Sequence, residues 1–228
     1  MNKLSAILTS SVGRKILNGL TGMLLCIYIL VHMAANTLII FNPAAFNLYA
    51  HFLMGLGPLL IVIEIMLVAV FVLHALTAIT VWWSKMKARP TGYAKVTGAG
   101  GPSRKTFSSI TMIYGGVIMI LFLFWHVSTM KYGHHEVFVH NGTEMHNLYH
   151  TVVAQFTQGW VVILYEIVVI TVGFHLWHGF WSSFQSLGLS HPKYTPVVNA
   201  IGYIFAIVIA AGFLAVPLYI YFTGGVAL

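Results

Sequence analysis

The chain has 228 residues, of which 59% are hydrophobic and only 7% are charged. Soluble domains carry charge on roughly a quarter of their residues, so this composition excludes an ordinary soluble domain and predicts a protein of the lipid bilayer. The net charge of +7 is not arranged as a nucleic-acid-binding stripe, because the basic residues stand at the ends of apolar segments.

Five apolar segments are long enough to cross a bilayer as helices, which takes about 20 residues each. In chain order they cover residues 16–41, 56–84, 107–130, 157–187 and 197–222. The fourth is too long for a perpendicular span, so it is expected to tilt or to extend beyond the membrane. The sequence therefore predicts an all-α fold, with residues 1–228 forming a single transmembrane domain built as a five-helix bundle.

The basic residues predict the orientation of these spans. With the N-terminus in the cytoplasm, ten of the eleven Lys and Arg residues face the cytoplasm and only Lys131 faces outward. This is the asymmetry that the positive-inside rule describes. Loop 85–106 is then expected on the cytoplasmic side and loop 131–156 on the outer side. The expected surroundings are the lipid bilayer, and nucleic acid is not an expected partner.

Four of the spans carry a histidine deep inside the apolar run, where ionisable side chains are costly and usually functional. At about 1.5 Å per residue, His74 and His175 lie ~16–18 Å from the inner ends of their helices, and His32 and His126 lie ~25–31 Å from theirs. The four sort into an inner and an outer pair, each drawn from two helices. Two bis-imidazole haem b groups in a helix bundle need this arrangement. The alternative for any one histidine is a hydrogen-bonded packing residue.

Glycines fall near the depth of the inner pair on two helices that do not supply its histidines. They are Gly19 and Gly22 on the first helix and Gly115 and Gly116 on the third. Small residues there would let a haem macrocycle approach the backbone closely. Ordinary packing of helices through small residues explains them as well, and both explanations stay open.

Six stretches of the chain, in order, resemble the cytochrome b membrane-anchor subunit of succinate dehydrogenases and fumarate reductases, in its single-chain, five-helix, dihaem form. They read SSVGRKILNGLTG, VHMAANTLIIFNPAAFNLYAHF, VLHAL, FWHVST, FHLWHGFWSSFQSLGL and HPKYTP. The resemblance implies that His32 and His126 ligate the iron of a distal haem, and that His74 and His175 ligate that of a proximal haem. In the family the last ligand is followed four residues later by glycine, which favours His175 over its neighbour His178.

The resemblance also implies a function. The chain would bind a flavoprotein subunit, which carries FAD, and an iron–sulfur subunit, which carries the clusters, on its cytoplasmic face. It would conduct electrons between the iron–sulfur subunit and membrane quinone, usually menaquinone, as the non-dicarboxylate subunit of a succinate:quinone oxidoreductase. That enzyme serves the tricarboxylic acid cycle and respiratory chain in the bacterial inner membrane. One departure is Gly173, where some fumarate-reducing relatives carry a glutamate proposed to relay protons.

A quinone site needs hydrogen-bond donors and a source of protons. Family analogy puts one near the distal haem, where the outer ends of the first two helices carry Asn47, Tyr49, His51 and Glu64. An ordinary capped turn explains these residues as well. Glu166 is the other intramembrane acid, and it is either a proton carrier or a buried, neutral side chain. The His and Glu residues of the outer loop have a spacing that fits no standard metal site.

Two rival functions remain open. One is a quinone-reactive dihaem cytochrome b that anchors a different dehydrogenase. The other is a transporter or proton channel that uses His and Glu as a relay. A co-purifying flavoprotein that oxidises succinate separates the first rival from the expected function, and a haem absorption spectrum separates the second.

Overall fold

The structure, a computed structural model, describes residues 10–88, 91, 106–133, 136–140 and 142–225, without the side chain of residue 140. This part of the chain is mostly helical (84%) and forms seven helices. The helices are α1 (Ser11–Phe41), α2 (Pro43–Gly55), α3 (Pro58–Ala88), α4 (Phe107–Met130), α5 (Leu148–Phe156), α6 (Gly159–Ser186) and α7 (Thr195–Thr223). Strands β1 (Val137–His140) and β2 (Thr143–His146) pair between α4 and α5.

The five long helices confirm the five predicted spans. Helix α4 has the predicted range, and the ends of α1, α3, α6 and α7 lie within five residues of the predicted ones. All five are long and apolar enough to cross a membrane. Large apolar side chains lie exposed along them, as in α3, where Ile61, Ile65 and Val68 are 57%, 63% and 61% exposed. Such a surface suits contact with lipid, as in a multi-pass membrane protein.

The short elements between the spans were not predicted. Helix α2 begins with Pro43 after Asn42, whose side-chain oxygen accepts a hydrogen bond from the backbone N–H of Ala45 at 3.0 Å. Helix α5 begins after Asn147, whose side-chain oxygen accepts from the N–H of His150 at 3.1 Å. Asparagine caps of this kind satisfy N–H groups that have no partner within the helix. Most of the predicted cytoplasmic loop 85–106 lies outside the described residues.

The chain divides into two compact units, each with a segment of all five long helices. The first unit comprises residues 1–27, 67–117 and 174–206, and the second comprises residues 28–66, 118–173 and 207–228. His74 and His175 both belong to the first unit, and His32 and His126 both belong to the second. The two predicted histidine pairs therefore fall within separate units.

In the first unit, α1 packs closely against α6 and is hydrogen-bonded to α3. A Cβ atom added at Gly19 would meet Cβ of Ser186 at 3.1 Å and the carbonyl oxygen of Ser183 at 3.2 Å. The two helices thus approach through small residues. The hydroxyl of Thr77 on α3 donates to Oδ1 of Asn18 on α1 at 3.1 Å.

The second unit has an apolar core and a polar clamp beside it. The core side chains are Ile39, Phe46, Tyr149, Val152, Phe156, Val161, Val162, Tyr165, Val216 and Ile220. Next to them Asn47 is fully buried, and its Nδ2 donates to Oδ1 of Asn147 at 3.0 Å. Its Oδ1 accepts from the backbone N–H of Tyr149 at 2.9 Å. Both ends of this amide are used to fix α2 against the start of α5.

We expect Asn47→Ala to lower the free energy of unfolding by about 1–3 kcal/mol, because it leaves the buried N–H of Tyr149 without its acceptor. The measurement is thermal unfolding of the purified protein in detergent. The control is Gln158→Ala, which removes an exposed amide in the turn after α5 that donates to the carbonyl of Ala154. Equal melting temperatures for the two variants would show that the hydrogen bonds of Asn47 do not stabilise the fold.

Candidate functional site

The structure brings together the two histidine pairs that the sequence predicts. In the first unit, the ring centroids of His74 on α3 and His175 on α6 lie 6.3 Å apart, with the ring planes at 67°. In the second unit, those of His32 on α1 and His126 on α4 lie 5.9 Å apart, with the planes at 89°. Each pair therefore joins two helices. Ligation of iron by these rings stays a prediction.

The two separations fit imidazoles on opposite sides of one metal ion. A metal–imidazole bond is about 2.0–2.1 Å long and the nitrogen lies about 1.1 Å from the ring centre, so two such rings have centroids ~6.3 Å apart. The pairs stand at 6.3 Å and 5.9 Å. Among the described residues there is no cluster of three or more His, Cys, Asp or Glu side chains arranged to hold a metal. Two imidazoles alone suit haem, which supplies the other four ligands itself.

The hydrogen bonds of Thr21 determine which ring nitrogen of His74 is protonated. The hydroxyl of Thr21 donates to the carbonyl of Leu17 at 2.7 Å, and the carbonyl of Asn18 lies at 3.2 Å. The same oxygen lies 3.2 Å from Nδ1 of His74. A threonine hydroxyl has one proton, already directed at a carbonyl, so it accepts from Nδ1–H. Nε2 of His74 then carries the free lone pair.

A second hydroxyl contacts the corresponding nitrogen, Nδ1, of His126. Nδ1 of His126 and the hydroxyl oxygen of Tyr165 on α6 lie 3.0 Å apart. The Tyr165 ring is itself held by Phe156 and Phe122, with centroids at 4.7 Å and 5.0 Å. The tautomer of His126 that donates from Nδ1 to Tyr165 leaves Nε2 free for a ligand.

The other histidine of the first unit presents a buried nitrogen without a partner. Nδ1 of His175 is buried and has no hydrogen-bond partner among the described residues, and the same is true of His178. Buried polar atoms in proteins are nearly always paired, so an unpaired one calls for a ligand or ion. The His178 ring packs edge-on against Trp181, with centroids 5.1 Å apart. A Cβ atom added at Gly179 would lie 4.0 Å from Cδ2 of the His175 ring, at ordinary van der Waals distance.

Aromatic side chains fix both rings of the second-unit pair. Tyr28 stacks on His32 with centroids 5.5 Å apart, and Phe122 stacks on His126 at 5.4 Å. Each aromatic residue stands four positions before its histidine on the same helix, where side chains meet. Phe213 of α7 contacts His32 from a second helix, at 5.7 Å. The sequence contains this spacing, but only the fold shows that the rings stack.

The predicted glycines differ from one another. A Cβ atom at Gly22 would meet Cε1 of His74 at 3.2 Å and Oγ of Ser183 at 3.3 Å. At Gly22, as at Gly19, the helices therefore pack through a small residue. A Cβ atom at Gly116 would meet no atom of the described chain within 4 Å, so open space lies beside that residue. Gly115 is buried.

The structure separates the predicted quinone residues into two groups. The amide of Asn47 is used within the fold, as described above. Tyr49 and Glu64 both interact electrostatically with Tyr28, the residue stacked on His32. The carboxylate of Glu64 also forms an ion pair with Lys131, the one basic residue predicted to face outward. Glu64 is thus ion-paired with Lys131 and interacts electrostatically with the residue that stacks on His32.

The remaining predicted residues have fewer contacts. His51 is half-buried. One carboxyl oxygen of Glu166 is buried and unpartnered within the described chain. In the loop predicted to face outward, His150 and Glu136 lie 3.4 Å apart, Nδ1 to Oε2. His134 and His135 of that loop lie outside the described residues.

A cleft that the sequence did not predict opens in the second unit, with a volume of about 380 Å³. Its lining includes Thr129, Gln155, Glu136 and His150. Thr129 stands three residues after His126, and its hydroxyl donates to the carbonyls of Trp125 and His126 at 2.9 Å and 3.2 Å. Its lining comes from α4, from the segment after α4 and from α5, so no linear pattern marks it.

Comparison with protein-family models, with curated proteins and with solved structures gave no match to this chain.

Gly22→Ala should lower the melting temperature, because the added Cβ presses on the His74 ring and on α6. Crowding of a packed interior costs about 1–3 kcal/mol, which outweighs the ~1 kcal/mol that alanine gains over glycine in a helix. Gly55→Ala is the matched control, since its Cβ would meet no described atom within 4 Å. If Gly22→Ala were as stable as the control, the close approach of α1 to His74 would be refuted.

Proposed function

We propose that this chain is the dihaem cytochrome b membrane anchor of a bacterial succinate:quinone oxidoreductase. The observation that carries the proposal is the presence of two imidazole pairs on apolar helices, with ring centroids 6.3 Å and 5.9 Å apart, close to the ~6.3 Å expected of two imidazoles on one metal ion. A haem b held between helices needs one imidazole from each side and an apolar environment. The resemblance of the sequence to this anchor subunit supports the same assignment.

His74 and His175 would hold one haem b, and His32 and His126 would hold the other. When bound, each haem would supply a one-electron redox centre held by two imidazoles of the chain. The contribution of the chain is to keep the rings in position. Cross-helix hydroxyls and stacked aromatic rings do so, and the apolar helices exclude water from the iron.

Quinone, proposed to be menaquinone, would react beside the second-unit pair. Reduction of a quinone takes up protons as well as electrons, so the site needs polar side chains near an electron donor. Tyr49 and Glu64 interact electrostatically with Tyr28, which stacks on His32, and Lys131 forms an ion pair with Glu64. The carboxyl of Glu64 is the group proposed to exchange protons with the quinone. Glu166, with an unpaired buried oxygen, is proposed as a carrier of protons between helices.

The soluble partners would dock on the face that carries the basic residues of the first unit. Nη1 of Arg14 lies 3.4 Å from the hydroxyl oxygen of Ser84, so Arg14 stands beside the end of α3. That end carries Lys85 and Lys87 in its last turn. We propose that this positive surface receives the iron–sulfur subunit, which with its flavoprotein partner holds the clusters and FAD.

The proposal is tested by purifying the chain from its native membrane and recording its spectrum and its companions. A reducible low-spin haem b spectrum, with a flavoprotein that oxidises succinate, supports it. The same spectrum with another dehydrogenase would reassign the anchor to that enzyme. A colourless, folded protein would overturn the proposal and leave a His and Glu relay as the better account.

Replacing any one of the four paired histidines by alanine should reduce the haem content from two per chain to one, because a single imidazole holds a haem poorly in an apolar site. His178→Ala is the matched control, since His178 lies next to the His74–His175 pair without forming part of it. Haem content is measured by the pyridine haemochrome spectrum. Loss of haem from His178→Ala with retention in His175→Ala would exchange the roles of these two residues.

A further inference from the structure

We infer that Thr21 and Tyr165 are positioning residues for the two haems: each hydroxyl accepts a hydrogen bond from Nδ1–H of one axial histidine and so presents its Nε2 to the iron. The inference rests on the proposed haem ligation and goes beyond it, since it names the ligating atom of His74 and His126. It also identifies what sets the strength of each bond to iron.

The position of the single hydroxyl proton of Thr21 decides which nitrogen of His74 is protonated. At 2.7 Å from the carbonyl of Leu17, the hydroxyl proton is committed to the backbone of α1. The contact with Nδ1 of His74 at 3.2 Å is then possible only with the proton on the nitrogen. This contact therefore favours the tautomer of His74 that is protonated at Nδ1.

The same arrangement recurs in the second unit with different residues. Tyr165 comes from α6 and meets Nδ1 of His126 at 3.0 Å, just as Thr21 comes from α1 to meet His74. In both units the hydroxyl belongs to a helix that does not carry the histidine it contacts. Both contacts lie in the interior of the protein, because Thr21 and Tyr165 are each only 5% exposed. Each histidine pair thus has one ring held by a buried hydroxyl.

A hydrogen bond at Nδ1–H makes the imidazole a stronger donor through Nε2, which favours the oxidised iron. Removing the bond should therefore raise the midpoint potential of the haem concerned. Only that haem should respond, because the two hydroxyls lie in different units. A change limited to packing would instead loosen the protein without a directed shift of one potential.

The experiment is a potentiometric titration of the purified protein, followed by optical and electron paramagnetic resonance spectra. Thr21→Val should raise the potential of the haem held by His74 and alter its low-spin signal, and Thr21→Ser should restore both. Thr77→Val is the matched control. Thr77 is also a buried threonine beside His74, but its hydroxyl bonds go to backbone carbonyls and to Asn18.

Tyr165→Phe is an independent test of the inference if the Thr21→Val variant does not fold with its haems bound. It keeps the aromatic ring and should raise the potential of the haem held by His126 alone, and Tyr219→Phe in the same unit is its control. If both haems are present and neither potential moves in either variant, the positioning role is wrong while the proposed function stands. If the unaltered protein contains no haem, the proposed function and this inference fall together.

Discussion

The structure depends on one constraint. Imidazole nitrogens that are buried away from water need a hydrogen-bond or metal partner. A polar group that loses water and gains no partner costs about 1–3 kcal/mol, and the lipid-facing helices of this chain offer few alternatives. Four histidines on four helices meet in two pairs, with ring centroids 6.3 Å and 5.9 Å apart. In the proposed function, a shared iron between each pair would satisfy one nitrogen of every ring, which would account for such side chains in so apolar a protein.

The helices that carry these rings also provide the groups that orient them. In the first unit Gly22 lets α1 approach the His74 ring, and Thr21, the adjacent residue, reaches Nδ1 of the same ring. In the second unit Tyr165 contacts His126 while packing in the apolar core. The same close packing that joins the helices therefore sets the orientation of the histidines. Structure and proposed chemistry depend on the same contacts.

The sequence predicts the features that hydropathy and depth determine. The five spans follow from uninterrupted apolar runs, and the pairing of His74 with His175 and of His32 with His126 follows from their distance along each helix. The short elements escaped prediction, because α2 and α5 depend on single caps at Asn42 and Asn147 rather than on an apolar pattern. The contacts of Thr21 and Tyr165 also escaped, because they depend on the rotation of one helix relative to another.

The candidate quinone residues differ in their hydrogen-bond partners, which depend on contacts between helices and cannot be predicted from the sequence. Asn47 was predicted as a candidate quinone residue from its place near the end of a span, but its amide is occupied by Asn147 and by the backbone of Tyr149. Tyr28 was overlooked although it contacts His32, since a tyrosine in an apolar run looks like ordinary packing. Position along the chain identifies which residues lie at a given depth, whereas hydrogen-bond partners identify which of them remain available for chemistry.

The central claim, that the histidines meet in twos around iron, is tested most directly by near-infrared magnetic circular dichroism of the oxidised, purified protein. This spectrum reports the identity of the axial ligand pair. The account predicts that both haems are low-spin with two imidazole ligands each. A protein without porphyrin, or a haem with a single imidazole or a ligand other than imidazole, would contradict it.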